Sequence, residues 1–275
     1  MGTLFLVATP IGNLEDISAR ALRILTEVKL IAVEDTRQTR KLLNHYKIST
    51  RITSYYEYNK ISKLDVILDT LEVGDVALVS DAGTPALNDP GYELVQAALQ
   101  VGHNVSPIPG ASAPLAALVV SGLPTDSFVY LGYLPRKSAE RRRFIQEVEN
   151  LSYTLIFLES PHRLLTALSD LQEILGDRQM AAARELTKIH EEILRSPISD
   201  IRNHYSSHPP RGEFTLVVAG KTLDQASIWS DEKLYSAIRE GLLRGESASA
   251  LAARLAGESG WKRRIIYKMI IEKKS

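Results

Sequence analysis

An α/β protein with a helical C-terminal appendage is what the order of elements in this chain predicts. Three observations carry that reading. Short apolar runs rich in β-branched residues alternate with amphipathic helical stretches up to about residue 220, the pattern of strands and crossover helices in a mostly parallel sheet. The apolar runs stop abruptly at turns of Gly, Pro, Thr, Asp and Asn, where open α/β sheets place their ligands. From Asp231 onward only helical periodicity remains.

Taken in order, Leu4–Ala8 is the first strand and ends at Thr9-Pro-Ile-Gly-Asn13. Asp16 and Ser18 precede a helix over Ala19–Val28, with Ala21, Leu22, Leu25 and Val28 on one face. Lys29–Val33 is a second strand, followed by Glu34-Asp-Thr-Arg37, a helix over Gln38–Tyr46 and a weaker strand near Arg51–Tyr55. Ile61–Leu71 reads as a helix, Val76–Ser80 as a buried strand, Tyr92–Val101 as a helix and Asn104–Pro107 as a fifth strand. After Pro109-Gly-Ala-Ser112 comes a helix of small residues, Ala113–Val120, which breaks at Ser121-Gly-Leu-Pro124.

In the second half, Phe128–Gly132, Tyr153–Leu158, Met180–Arg184 and Arg211–Val218 read as strands, and Lys137–Asn150 and Leu164–Leu175 as helices. Gly220–Ser230 is polar and linker-like. The tail holds three helices, Glu232–Arg244, Ala248–Ala256 and Trp261–Ile271, with Ser247 and Ser259 as N-caps of the last two. A boundary within Ser112–Thr125 divides the chain into domains over 1–115 and 116–228, with the helix–turn–helix-like module over 229–275.

Composition bounds the chemistry. With 275 residues and 44% hydrophobic content the chain can bury two cores of ordinary size. It has no cysteine, which excludes disulfides, thiolate nucleophiles, zinc ribbons and iron–sulfur ligation and favours a reducing compartment. The six histidines form no HxxxH pair, so no metal site is expected. The N-terminus lacks the pattern of a signal peptide and no run reaches membrane-spanning length, so a cytoplasmic protein without a membrane partner is expected. The net charge is zero, so any nucleic-acid surface must be local.

Four strand ends of the first half converge on one kind of loop: Thr9–Asn13, Glu34–Arg37, Asp81-Ala-Gly-Thr-Pro85 with the following Asn88-Asp-Pro-Gly91, and Pro109–Ser112. Small side chains there allow a ligand to approach main chain, and together they predict a pocket. None is a GxGxxG or GxxxxGK[ST] loop, so neither a dinucleotide nor ATP is the natural ligand. In the second half titratable groups cluster at Glu159-Ser-Pro-His162-Arg163 and at Arg184–Glu191. Glu159 reads equally as a general base or as a charge balancing a helix N-terminus. Arg136, Lys137, Arg141, Arg142 and Arg143 place five cations within eight residues, which favours phosphate binding over a merely solvated face. The tail carries ten basic residues against six acidic ones, including Lys262, Arg263, Arg264, Lys273 and Lys274. That excess fits nucleic-acid contact or a docking module.

The motifs Val7–Asp16, Glu34–Arg37, Ser80–Pro85, Pro109–Ser112, Gly132-Tyr-Leu-Pro135, Glu159–Arg163, Arg184–Lys188 and Arg211-Gly-Glu-Phe-Thr215 occur together and in order. In this the chain resembles the ribosomal RNA small subunit methyltransferase I family, of the tetrapyrrole-methylase (class III) fold, over essentially its whole length. The resemblance implies two α/β domains with an S-adenosylmethionine cleft between them, and a homodimer. It implies 2′-O-methylation of a cytidine ribose in the decoding region of 16S ribosomal RNA, within the small ribosomal subunit. Carried onto this chain, the donor site would comprise Pro10, Ile11, Asp81, Gly83, Thr84, Ser112, Ala113, Leu158, Ala183, Arg184, Glu213, Phe214 and Thr215. RNA contacts would come from Arg37, from Arg136 to Arg143 on the basic helix, and from Lys262, Arg263 and Arg264. Glu34, Asp35, Arg37, Glu159, Arg184, Glu185 and Lys188 are all candidates to deprotonate or polarise the acceptor hydroxyl, and alignment without a dedicated base also suffices. The rival readings are a tetrapyrrole methylase of the same fold and a non-catalytic RNA-binding factor in ribosome assembly.

Overall fold

The computed structural model describes residues 2–56, 60–222 and 229–272. These form two compact units, Met1–Gly220 and Lys221–Ser275. Most of the predicted Gly220–Ser230 linker, together with Lys273 and Lys274, lies outside the described residues.

The first unit holds two five-stranded sheets. Strands β1 (Thr3–Val7), β2 (Leu30–Val33), β3 (Ile52–Ser54), β4 (Val76–Val79) and β5 (Asn104–Ile108) form a wholly parallel sheet in the order β3-β2-β4-β1-β5. Between them run α1 (Ala19–Glu27), α2 (Thr36–His45), α3 (Lys60–Val73) and α4 (Tyr92–Gln100). The apolar runs of β2 and β4 have no polar alternation because helices cover both faces. Ile31 and Val33 pack with Ala21, Leu25 and Leu43 from α1 and α2, whereas Leu30 and Ala32 pack with Ile67, Leu71 and Leu94 from α3 and α4. Ser18 caps α1 by accepting the Ala21 amide, and Asp35 caps α2 by accepting that of Arg37.

The second sheet contains β6 (Phe128–Tyr133), β7 (Thr154–Glu159), β8 (Gln179–Arg184), β9 (Glu192–Pro197) and β10 (Phe214–Val218) in the order β6-β7-β10-β8-β9. Only β6 and β7 are parallel; the other three pairings are antiparallel. Helices α6 (Ser138–Val148), α7 (Leu164–Leu175) and α8 (Ile198–Ser207) cover one face through Ile145, Leu168 and Ile201. The other face receives α5 (Ala113–Val120), whose Ala117 and Leu118 pack on Ile156, Ala181 and Val217. The helix that follows the last strand of the first sheet is thus buried against the second.

Strand β9 and helix α8 are not assigned from the sequence alone. β9 is an edge strand of mixed composition, Glu192-Ile-Leu-Arg-Ser-Pro197, with no buried apolar run to mark it. Helix α8 buries only Ile198, Ile201 and Tyr205 among polar residues.

The expected cationic face of α6 changes character in three dimensions. Arg141 is buried, its Nη2 2.6 Å and its Nε 2.7 Å from Asp170 Oδ2 on α7. Arg142 lies 3.0 Å from Asp170 Oδ1 and also bonds Glu173. Arg143 pairs with Glu147 and Lys137 with Glu140. Arg141 is therefore a bolt between α6 and α7 and is removed from the RNA-contacting set. The reason is tertiary: its partner Asp170 sits 29 positions away, on a helix whose acids look solvent-facing in sequence.

The second unit is a three-helix module of α9 (Asp231–Leu243), α10 (Ala248–Ser259) and α11 (Arg263–Glu272) around Leu234, Ile238, Leu251, Leu255, Ile266 and Ile270. Ser247 caps α10 as expected. Ser259 does not cap α11. It is the last residue of α10, its hydroxyl donating to the Leu255 carbonyl and accepting from the Trp261 amide, and Gly260 then ends the helix in the left-handed conformation at φ 73°. Among the described residues no helix is long and apolar enough to cross a membrane.

Arg141→Met should cost about 3 kcal/mol of stability, because Asp170 stays buried with one counter-charge gone. Urea unfolding of the single variant, compared with Arg143→Met, which should stay within about 0.5 kcal/mol of the parent, checks this.

Candidate active site

The loops at the carboxyl edge of the parallel sheet are tied to one another by main-chain bonds. The Thr9 amide donates to the Gly83 carbonyl at 2.9 Å and the Gly83 amide returns to Thr9 at 3.0 Å, an isolated antiparallel bridge between the β1 and β4 loops. Gly83 has φ +79°, a conformation open to glycine at little cost. Thr84 Oγ1 donates to the Ala111 carbonyl, tying in the β5 loop, and the Asp35 amide donates to Asp81 Oδ1 at 2.9 Å, tying in β2.

The second sheet supplies the opposite wall through Leu158 on β7, Ala183 on β8, and Phe214 and Thr215 on β10. Contacts on both sides join the walls. The Asn13 amide donates to Thr187 Oγ1 at 2.9 Å, and Gly12 lies so close that a Cβ there would fall 2.8 Å from the Leu186 carbonyl. On the other side Tyr130 donates its hydroxyl to Asn88 Oδ1 at 2.5 Å. Glu185 and Thr187 both adopt left-handed backbone, φ 50° and 63°, which non-glycine residues adopt at a cost of about 1–3 kcal/mol each. The surroundings hold them there. Glu185 Oε1 accepts from Lys188 Nζ at 2.9 Å and from the Glu213 amide at 3.1 Å, and the Thr187 amide donates to Glu191 Oε2 at 2.7 Å.

Between these walls is a cavity of about 290 Å³. Of the residues predicted for a donor site, Ile11, Asp81, Gly83, Thr84, Ser112, Ala113, Leu158, Ala183, Glu213, Phe214 and Thr215 line it. Pro10 and Arg184 do not; Arg184 instead pairs with Glu192 at 3.3 Å. Among the candidates for proton chemistry, Glu34, Glu185 and Lys188 line the cavity, while Asp35 and Glu159 lie outside it. Asp35 caps α2 and holds Arg37 at 2.7 Å; hydrogen bonds from the Arg37 side chain and amide bring its carboxyl down to about 2. Glu159 is buried beside Leu158 on the opposite face of β7, where its carboxylate binds Arg163 at 2.7 Å and the Ser160 amide. It anchors a turn.

Asn88 and Asp89, from the loop expected to help form a pocket, also line the cavity, as do Tyr133 of the Gly132–Pro135 motif and Tyr130, to which no motif points. A β-bulge between Tyr130 and Gly132, with Gly132 at φ +65°, shifts the register so that two tyrosines three positions apart reach the same cavity. Strict alternation along β6 hides this.

The cavity is acidic. Glu34, Asp81, Asp89, Glu185 and Glu213 line it, with Lys188 as its single cation among the described residues. Burial, then the charges of Asp89 and Asp81, push Glu34 up to about 6. Burial, then Asp81 and Glu213, push Asp89 up to about 6 against a hydrogen bond from Ser80. Burial also raises Asp81. Burial alone would raise Glu185, but the Lys188 ammonium and the Glu213 amide outweigh it and lower the group. Several partly buried carboxyls around one cavity, three of them raised by that burial, make a site that favours a cationic ligand.

The cations predicted to meet RNA lie on different elements. Arg37 stands at the first turn of α2 with its side chain 86% exposed. Arg136 is exposed beside the paired cations of α6. Lys262, Arg263 and Arg264 are exposed in the separate helical unit.

A profile of the family described as Tetrapyrrole (Corrin/Porphyrin) Methylases matches residues 3–202. A protein of Synechocystis sp. named ribosomal RNA small subunit methyltransferase I is 44% identical over 274 residues, covering 99% of this chain and 98% of its own. One of the same name from Halalkalibacterium halodurans is 45% identical over 270 residues, covering 97% and 93%. Among solved structures, a diphthine synthase superposes with a TM-score of 0.64 at 16% identity, covering 81% of this chain and 91% of that one. At that identity the likeness shows the fold alone.

Because Glu34 and Asp89 rise from 4.5 and 3.8 to about 6, the folded chain holds protons that the unfolded chain releases. Their contribution to stability is fully present below the unfolded values and is lost as pH rises through 6. Glu34→Gln should therefore be more stable than the parent by about 1 kcal/mol at pH 7.5, after allowing for solvent screening at this open cleft. The gain should vanish at pH 4. Thermal melting at the two pH values measures the difference.

Proposed function

Because this chain belongs to the ribosomal RNA small subunit methyltransferase I family, within the tetrapyrrole methylases, we propose that it transfers a methyl group from S-adenosylmethionine to the ribose 2′-hydroxyl of a cytidine in the decoding region of 16S ribosomal RNA. The acidic cavity is the observation that carries the donor assignment. S-adenosylmethionine has a sulfonium and an ammonium against one carboxylate, so it is a net cation, and it supplies a methyl carbon activated by positive sulfur. Asp81, with Glu34 and Asp89 behind it, suits the cationic groups. Gly83, Thr84, Ser112 and Ala113 offer main chain at close range, and Leu158, Ala183 and Phe214 offer an apolar surface.

The chain's own contribution is alignment. Loops locked to each other across the cleft hold donor and acceptor in one orientation, which supplies much of the rate in a displacement at carbon. Lys188, fixed by Glu185 at 2.9 Å, is the cation available to polarise an acceptor oxygen. A tetrapyrrole acceptor accounts for neither the exposed cations nor the helical unit.

We also propose that the protein acts in the cytoplasm as a homodimer. Helix α5 exposes Leu115 and Val119, 49% and 70% accessible, one turn apart on the side away from its buried Ala117 and Leu118. A second copy would cover that strip. Val119→Asp should shift the mass seen by light scattering from dimer to monomer; a monomeric parent would refute the dimer.

Titration calorimetry with S-adenosylmethionine should show binding that Asp81→Asn weakens about 10- to 100-fold, the loss of a charge-assisted contact. Labelled donor incubated with small ribosomal subunits should mark one cytidine ribose. Absence of donor binding would leave an RNA-binding assembly factor as the better reading, and label on a base would overturn 2′-O chemistry.

A further inference from the structure

Helix α2 carries a cationic face of which, among the described residues, only Arg37 pairs with an acid. Between Thr36 and His45 it has Arg37, Arg40 and Lys41 and no acidic residue. All three are exposed, and they follow one another at helical spacing toward exposed Asn44, while Thr39, Leu42 and Leu43 are buried beneath. Among the described residues, Lys41 donates to the Gln38 side-chain oxygen at 2.9 Å and neither it nor Arg40 has an acidic partner. Arg37 shares its charge with Asp35. On α6, by contrast, Lys137, Arg141, Arg142 and Arg143 each face a carboxylate.

Position gives this face its meaning. Glu34, two residues before α2, lines the cavity, and the amide of the capping Asp35 is held by Asp81 in the same cavity. The face therefore starts at the rim of the cleft and runs outward along a rigid helix. A polyanion with one unit inserted in the cleft would lay its neighbouring phosphates there.

We propose that Arg37, Arg40 and Lys41 of α2 dock the phosphodiester backbone of the RNA whose ribose enters the adjacent cleft; this rests on the reading of the chain as an rRNA methyltransferase. Neutralised phosphates release counterions, so each cation that meets one phosphate adds about 0.7–0.9 to the slope of log affinity against log salt.

The test uses full-length protein carrying Arg40→Glu and Lys41→Glu, an rRNA fragment spanning the decoding region, and fluorescence anisotropy from low to moderate salt. The expected result is at least a tenfold loss of affinity at low salt and a salt slope smaller by about 1.5–2. Donor affinity by calorimetry should be unchanged, and in turnover KM for RNA should rise while kcat holds. Arg40→Gln with Lys41→Gln should show an intermediate loss. Parental affinity and slope in the α2 variant would overturn the proposal. Weakened binding to intact subunits with unchanged binding to the naked fragment would assign the face to an acidic protein surface and also overturn it. A parent that binds donor but methylates no rRNA refutes the functional reading alone, since the same titrations still decide the α2 surface.

Discussion

The reciprocal hydrogen bonds between Thr9 and Gly83 are the constraint from which the cleft follows. Parallel sheets end in loops that are free to splay, because no ladder continues past the strands. Here the β1 and β4 loops add one antiparallel bridge beyond the sheet. The β5 and β2 loops then fasten to it through Thr84 and Asp81. Once four loops form one body, their inward groups hold fixed relative positions, as a site that works by alignment requires.

That rigidity supports an arrangement that is costly in isolation. Burial raises the carboxyls of Glu34, Asp81 and Asp89, and the charge of Asp81 adds to the rise of the other two. Across the cleft, Glu185 and Thr187 sit in backbone conformations that favour glycine. Both costs are met by bonds that reach between elements: Asn13 to Thr187, Glu213 to Glu185, Tyr130 to Asn88. Strain and crowded charge collect where the chemistry is proposed, while the two sheets behind have mostly apolar interiors.

The first sheet and its loops were legible because both signals are local. β2 and β4 are apolar runs with buried faces on either side, and Gly83, Pro85 and Ser112 punctuate the strand ends. What eluded the sequence depends on partners far along the chain. Arg141 and Arg142 read as part of a phosphate-binding cluster until Asp170 and Glu173 arrive from α7. Tyr130 and Tyr133 join the cavity only through a bulge that alternation cannot show. Leu158 and Glu159 are neighbours in one motif, yet the pleat sends them to opposite faces and only Leu158 reaches the cleft. Charge in sequence shows which groups are present; pairing decides which remain for a ligand.

Helix α5 has a consequence for the chain as a mechanical object. It leaves the last strand of one sheet and buries Ala117 and Leu118 in the face of the other, where Ile11 from the first strand's loop joins the same cluster. A polypeptide cut after Ser121 would leave one fragment with a bare apolar helix and the other with a bare apolar sheet. Neither could be shuffled onto a new partner, circularly permuted at that joint or melted alone without exposing the seam. The two sheets are bound to a common fate, and the cavity between them lasts as long as that seam stays dry.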